Sequence, residues 1–258
     1  MNKKITIRFD DLTHLYESCS SYLKAETMRT LESHPDIFTK KYQKMFDVSI
    51  LTSVLMFTEE EILNKQFKDK DGKNLSWKEK VYSKNDIADI YNKGITDRLC
   101  TPAKAHMRYY ETDGKVDIQD LYITINADIL KKAILRNLWR MIEFQDVLLK
   151  SWARHEAGHI LDYILTDGTS VKEHNKVCRS DDAAKKKLKN WRKSVMPKGK
   201  IYLPDDLEAQ YSKMYFECPS EARADTLGGV DRQAVLEFEK AEKYVVSATI
   251  KSKIVKKD

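Results

Sequence analysis

Two histidines four positions apart, with a glutamate directly after the first, place the strongest constraint on how this 258-residue chain can fold. They lie in the segment ARHEAGHILDYI, residues 153–164, as His155, Glu156 and His159. Apolar residues flank the motif at helical spacing, which predicts an α-helix. Residues i and i+4 of a helix share one face, so two imidazoles there can bind one metal ion while Glu156 lies beside it. The alternative is a surface helix on which these residues have no common role.

Gly158 lies inside the predicted helix. A glycine in a helix interior costs about 1 kcal/mol relative to alanine. Its presence therefore predicts that another segment packs closely against this part of the helix.

A catalytic zinc site needs a third protein ligand, and residues 217–229, ECPSEARADTLGG, are the best candidate segment. Pro219 suits the first turn of a helix, and Gly228 with Gly229 predicts its end. Glu221 and Asp225 are one turn apart, so one carboxylate can bind the metal while the other accepts the free N–H of a metal-bound imidazole. Glu217 is the fallback ligand, and an exposed acidic helix face is the alternative interpretation.

The combination of HEAGH with a later Glu-x-x-x-Asp resembles the gluzincin group of zinc metallopeptidases, which includes thermolysin-like domains. The form HEAGHILDYI…PSEARAD also resembles anthrax-lethal-factor-like catalytic domains, and the resemblance covers about residues 120–230. It implies that the zinc ligands are His155, His159 and Glu221, that Glu156 is the general base, and that Asp225 is the partner of His155. Asp162 matches an aspartate after the motif in the lethal-factor group, and we interpret it as structural.

The resemblance implies a zinc-dependent endopeptidase that hydrolyses peptide bonds through zinc-activated water, with Glu156 as general base. The lethal-factor group also uses a tyrosine upstream of the ligand glutamate to stabilise the transition state. Tyr211 and Tyr215 are the candidates here, although Met214 occupies the matching offset. By the same layout, the strand LYITI, residues 121–125, is expected to be the edge strand along which the substrate lies.

Positive charge is concentrated in one segment. The chain has a net charge of +6, and residues 171–200 contain eleven basic and three acidic side chains, a net charge of +8. We predict a basic loop, inserted between the two motif segments, that could contact nucleic acid or another acidic partner. A solvated insertion without a partner is the alternative.

Two further functions stay open. The chain could be a catalytically silent zincin-fold protein with a structural or interaction role, such as a phage virion component. It could also be a nucleic-acid-associated protein that uses residues 171–200.

The hydrophobic pattern predicts a helix-rich α+β fold with three regions. Residues 1–115 form a mostly helical region of unknown role, with a strand at 4–9 and helices at 11–67 and 77–94. Residues 116–230 form a zincin-like domain, with a turn at Asp113–Gly114 just before it, a strand at 120–128 and helices at 128–142 and 145–165. Residues 231–258 form a helix and a basic tail.

The cysteines and the hydropathy exclude several protein classes. Cys19, Cys100, Cys178 and Cys218 are far apart and form no CxxC pair, which argues against a zinc ribbon or a disulfide scaffold. No run approaches about 18 apolar residues, and the first residues lack the apolar core of a signal peptide. We therefore expect a cytoplasmic protein without a membrane partner, with association with a virion or non-classical export left open.

Overall fold

A computed structural model describes residues 4–51, 103–196, 203–240 and 247–251. The predicted helix at 77–94, the residues after Leu51 in the helix predicted to reach residue 67, and Cys100 lie outside these ranges. The elements are β1 (Lys4–Arg8), α1 (Phe9–Glu32), α2 (Lys40–Gln43), β2 (Phe46–Leu51), β3 (Ala103–Thr112), β4 (Lys115–Asn126), α3 (Ala127–Asn137), α4 (Lys150–Ile164), α5 (Val171–Val195), α6 (Asp205–Phe216), α7 (Pro219–Gly228), α8 (Arg232–Lys240) and β5 (Ser247–Lys251). This arrangement confirms the predicted helix-rich α+β class, whereas its zincin-like character stays a prediction.

A three-stranded sheet in the order β2-β4-β3 supports the motif helix α4. Strand β2 runs parallel to β4, and β3 runs antiparallel to it. The pairing skips Gln119, which is exposed, because Arg108 pairs with Asp120 and Tyr109 pairs with Ile118. This bulge shifts the alternation by one residue, so Val116 and Ile118 before it and Leu121, Ile123 and Ile125 after it are all buried.

The hairpin between β3 and β4 turns at the predicted Asp113–Gly114 pair. Both residues have positive φ, 52° and 71°, which is the requirement of a type I′ turn. The strand predicted at residues 120–128 corresponds to the second half of a longer strand, β4, which lies at the centre of the sheet. The prediction that residues 121–125 form an edge strand is wrong, because β2 and β3 pair with its two sides.

Two segments adopt a different structure from the prediction. Residues 46–51 form β2 rather than the start of a helix, because they pair with β4 from Phe46 opposite Leu121 onward. Residues 171–195 form the 25-residue helix α5 rather than a loop. The Ser170 hydroxyl caps this helix by accepting the Glu173 N–H at 3.2 Å. Residues 170–173, Ser-x-x-Glu, are a capping box, which predicts the start of a helix, but the high density of lysines after it was given more weight.

Helix α4 packs against two groups of apolar side chains. Ala157, Ile160, Leu161 and Ile164 pack against the sheet and α1. Ala153, one turn before Ala157 on the same face, packs into a cluster with α1, α3 and α8. A 3-10 turn (Leu138–Arg140), a short α-helical segment (Met141–Glu143) and a π-helical segment (Phe144–Leu149) connect α3 to α4.

The described residues before position 116 contribute to the same core as the motif helix. The predicted boundary between residues 115 and 116 falls at the start of β4, and both β2 and β3 on its N-terminal side pair with β4. In the C-terminal region the predicted helix is present as α8, and β5 pairs in parallel with β1. Within the described ranges, no helix combines the length and the apolar character needed to cross a membrane.

Candidate metal centre

Helix α4 presents the two motif histidines on one face, as the four-residue spacing predicts. The rings of His155 and His159 are 4.6 Å apart between centroids, at an angle of 80°. His155 and Glu156 are both buried, at 8% and 6% exposure. The motif therefore points into the protein, which contradicts the alternative of a surface helix.

Helix α7 crosses α4 at two glycines. A Cβ atom on Gly158 would lie 1.9 Å from the backbone oxygen of Ala224, and one on Gly228 would lie 2.1 Å from the backbone oxygen of Arg154. The prediction that a segment packs closely at Gly158 is thus confirmed. Pro219 begins α7, and Gly229, with φ of 63°, ends it in the left-handed conformation.

This crossing brings Glu221 against both histidines. Its Oε2 lies 3.1 Å from His155 Nε2 and 3.3 Å from His159 Nε2. Among the described residues, these three form the group whose ligand atoms all lie within 4.8 Å of one another. A tetrahedral zinc ion with bonds of roughly 2.0–2.2 Å separates its ligand atoms by about 3.3–3.6 Å. The spacing therefore fits two imidazoles and one carboxylate around a single ion.

Both ring nitrogens of His155 face carboxylates. Nδ1 lies 2.7 Å from Asp225 Oδ1 and 3.0 Å from a terminal nitrogen of Arg232. In the neutral tautomer that donates from Nδ1 to Asp225, Nε2 presents a lone pair to Glu221 Oε2, which is also an acceptor. A proton or a metal ion between these two atoms satisfies both of them.

The pKa values favour a positive charge on His155 and a negative charge on Glu221. Burial alone would lower the pKa of His155, but its hydrogen bonds to Asp225 and Glu221 raise it to about 9. Burial would raise the pKa of Glu221, but hydrogen bonds from His155 and His159 hold it well below its usual range. The site thus holds anionic carboxylates around a position that favours positive charge.

Glu156 faces the sheet rather than joining the three ligand atoms. Its Oε2 accepts the backbone N–H of Ala105 in β3 at 2.6 Å. Burial raises the pKa of this carboxyl. Glu156 is therefore a buried carboxyl group that is fixed between α4 and β3, next in sequence to His155.

Two cations at the site were not foreseen from the sequence. Arg232 at the start of α8 donates to both oxygens of Asp225, from Nε to Oδ2 and from one terminal nitrogen to Oδ1, at 2.5 Å each. Its guanidinium also stacks on Phe216 at 3.4 Å from the ring centroid. Lys185 in α5 contacts Glu221 Oε1 at 2.7 Å. No motif marks Arg232, and Lys185 is one of many lysines in the basic segment.

The remaining predicted residues lie outside the ligand group. Tyr211 stacks between Trp191 and Tyr215 in an aromatic cluster formed by α5 and α6. Glu217 is exposed at the end of α6. Asp162 accepts a hydrogen bond from Arg223 at 2.9 Å, which links α4 to α7 and agrees with a structural role. Free thiols are found at Cys19, Cys178 and Cys218.

No protein-family model, curated protein or solved structure matches this chain. The resemblance to gluzincins therefore rests on the HExxH segment and the Glu-x-x-x-Asp segment alone. A function has to be derived from the side chains of the site and their contacts.

Proposed function

We propose that the protein is a zinc-dependent endopeptidase of the gluzincin type. The observation that carries this proposal is the approach of two imidazole nitrogens, from His155 and His159, to one oxygen of Glu221. The hydrogen bond from His155 to Asp225 supports it, because metal-binding histidines usually donate their other N–H to a carboxylate.

The donor set favours zinc over the hard cations. Mg²⁺ and Ca²⁺ prefer sites made of oxygen atoms, whereas two imidazoles and a carboxylate suit zinc. Three protein ligands leave one tetrahedral position for water or substrate, which is typical of a catalytic centre. The same three donors also bind Fe²⁺ in oxygenases, but the buried base Glu156 beside the ligands favours hydrolysis.

When bound, zinc would supply a Lewis acid for the peptide carbonyl and a lowered pKa for water. Glu156 takes the proton from the attacking water and passes it to the nitrogen of the leaving amine. The Ala105 N–H holds Oε2 of this glutamate, which leaves Oε1 to carry the proton. Asp225 would hold His155 in the tautomer whose Nε2 is available to bind zinc, and Arg232 holds Asp225 in place.

The substrate in this proposal lies extended along β3. Among the described strands, β3 pairs with β4 on one side and is an edge of the sheet. Ala105 in β3 contacts Glu156, so this strand reaches the site directly. Main-chain pairing to an edge strand recognises extended peptides with little dependence on their side chains.

Metal analysis tests the proposal. We expect one equivalent of zinc per chain in the wild-type protein, loss of stoichiometric zinc in His155→Ala and Glu221→Ala, and roughly 10–100-fold weaker binding in Asp225→Asn. The readouts are elemental analysis and competition with a chromophoric chelator. Wild-type protein that binds no zinc, or ligand variants that bind it as well as the wild type, would contradict the metal site.

A peptide assay then distinguishes an active enzyme from a catalytically silent protein with the same metal site. We expect the zinc-loaded protein to cleave a mixed peptide library, a chelator to stop cleavage, and added zinc to restore it. Stoichiometric zinc without cleavage of any library member would support the silent alternative.

The outer face of α5 supports a second candidate, a contact with nucleic acid. This helix is about 37 Å long, and besides Lys185, which contacts Glu221, it has six exposed cations along its outer face, at Lys172, Lys176, Arg179, Lys186, Lys187 and Lys193. A basic face of that length matches the charge of a duplex backbone. The test is binding of duplex DNA at increasing salt, where a linear decrease in log affinity is expected. Absence of binding at low salt would remove this candidate.

A further inference from the structure

The side chain of the proposed ligand Glu221 is 2% exposed, and both of its carboxylate oxygens have polar partners. Oε2 faces the two histidines, at 3.1 and 3.3 Å from their Nε2 atoms. Oε1 lies 2.7 Å from Nζ of Lys185. An unpaired carboxylate at this depth would be costly, so the ammonium group offsets part of that cost.

Helix α5 is attached to the site on either side of Lys185. One turn earlier, Asp181 accepts a hydrogen bond from Arg223 of α7 at 3.1 Å. The same guanidinium donates to Asp162 of α4 at 2.9 Å, so a single arginine joins three helices. On the other side of Lys185, Leu188 is buried in the cluster that α5 forms with α6. These contacts place the backbone at Lys185 opposite Glu221.

A carboxylate can bind a metal ion through one oxygen or through both. An ammonium group that donates to Oε1 engages that oxygen and orients the carboxylate so that Oε2 is the ligand atom. A one-oxygen ligand also leaves room at the ion for water and substrate. We propose that Lys185 is a positioning residue that keeps Glu221 as a one-oxygen metal ligand. This inference rests on the proposed metal site.

The experiment compares Lys185→Met with Lys185→Arg and with the matched control Lys186→Met. Lys186 is the next residue on the same helix and is exposed, so its replacement changes the charge equally without touching Glu221. Zinc affinity is measured by competition with a chromophoric chelator. The visible absorption of the Co²⁺-substituted protein reports coordination, since tetrahedral Co²⁺ absorbs more strongly than five- or six-coordinate Co²⁺.

We expect Lys185→Met to bind zinc roughly 10–100-fold more weakly, the range for loss of a group that orients a metal ligand. Its Co²⁺ band is expected to weaken and shift as both oxygens of Glu221 reach the ion. Lys185→Arg restores most of the affinity and the band, because a guanidinium can also donate to Oε1. Lys186→Met matches the wild type in both measurements.

A purely structural ion pair would give a different result. Lys185→Met would then lower the melting temperature of the metal-free protein while leaving the Co²⁺ spectrum unchanged, and that outcome overturns the inference. If Lys185→Met does not fold, Lys185→Leu, which also has no donor for Oε1, replaces it with the same expected direction. Wild-type protein that binds no zinc would overturn the metal site and this inference together, whereas equal zinc affinity in Lys185→Met and wild type overturns this inference alone.

Discussion

Replacing Glu156 with glutamine is expected to lower kcat for peptide hydrolysis by at least about 10³-fold and to leave the zinc content unchanged. Glutamine has nearly the same shape, and its amide oxygen can still accept the Ala105 N–H that holds Oε2 in the wild type. It cannot take a proton from water at neutral pH. The loss should therefore appear in kcat rather than in metal affinity or stability.

The measurement is kcat on a fluorogenic peptide chosen from the library assay, together with elemental analysis of the same samples. Glu143→Gln is a suitable control, because Glu143 is exposed in the short helical segment before α4. A Glu156→Gln protein with zinc bound and activity within tenfold of wild type would show that Glu156 is not the general base.

Replacing either glycine at the α4–α7 crossing with alanine is expected to destabilise the protein by at least about 3 kcal/mol. At both Gly158 and Gly228 the added methyl group would meet the backbone of the other helix, at 1.9 and 2.1 Å. Backbone atoms cannot move aside as a side chain does, so the helices must separate. Separation moves Glu221 and Asp225 away from His155, and zinc affinity falls with stability.

Gly114→Ala is the matched control for this pair. A Cβ atom at Gly114 meets no heavy atom within 4 Å, and its φ of 71° makes alanine unfavourable only through the left-handed backbone. We expect a cost of about 1–2 kcal/mol there and unchanged zinc affinity. The measurements are urea unfolding followed by circular dichroism and zinc competition. Gly158→Ala and Gly228→Ala proteins as stable as Gly114→Ala would contradict the close crossing.

Features that depend on neighbouring residues could be predicted from the sequence. The motif helix, the α7 helix with its proline start and glycine end, and the Asp113–Gly114 turn all follow from local rules of spacing and backbone conformation. Gly158 even indicated close packing, although not the identity of the partner. The same local reasoning missed α5, because a dense run of lysines was given more weight than the capping box at its start.

Features that depend on distant residues were decided by the tertiary structure. Pairing of β4 with strands on both sides made it central, and this moved the candidate substrate edge to β3. The contacts of Lys185 with Glu221 and of Arg232 with Asp225 join separate helices, and no periodicity within one helix encodes them. Spacing alone could propose three metal ligands. Only the packing of α7 on α4, through two glycines, could bring their donor atoms together, because that distance depends on how closely two backbones approach.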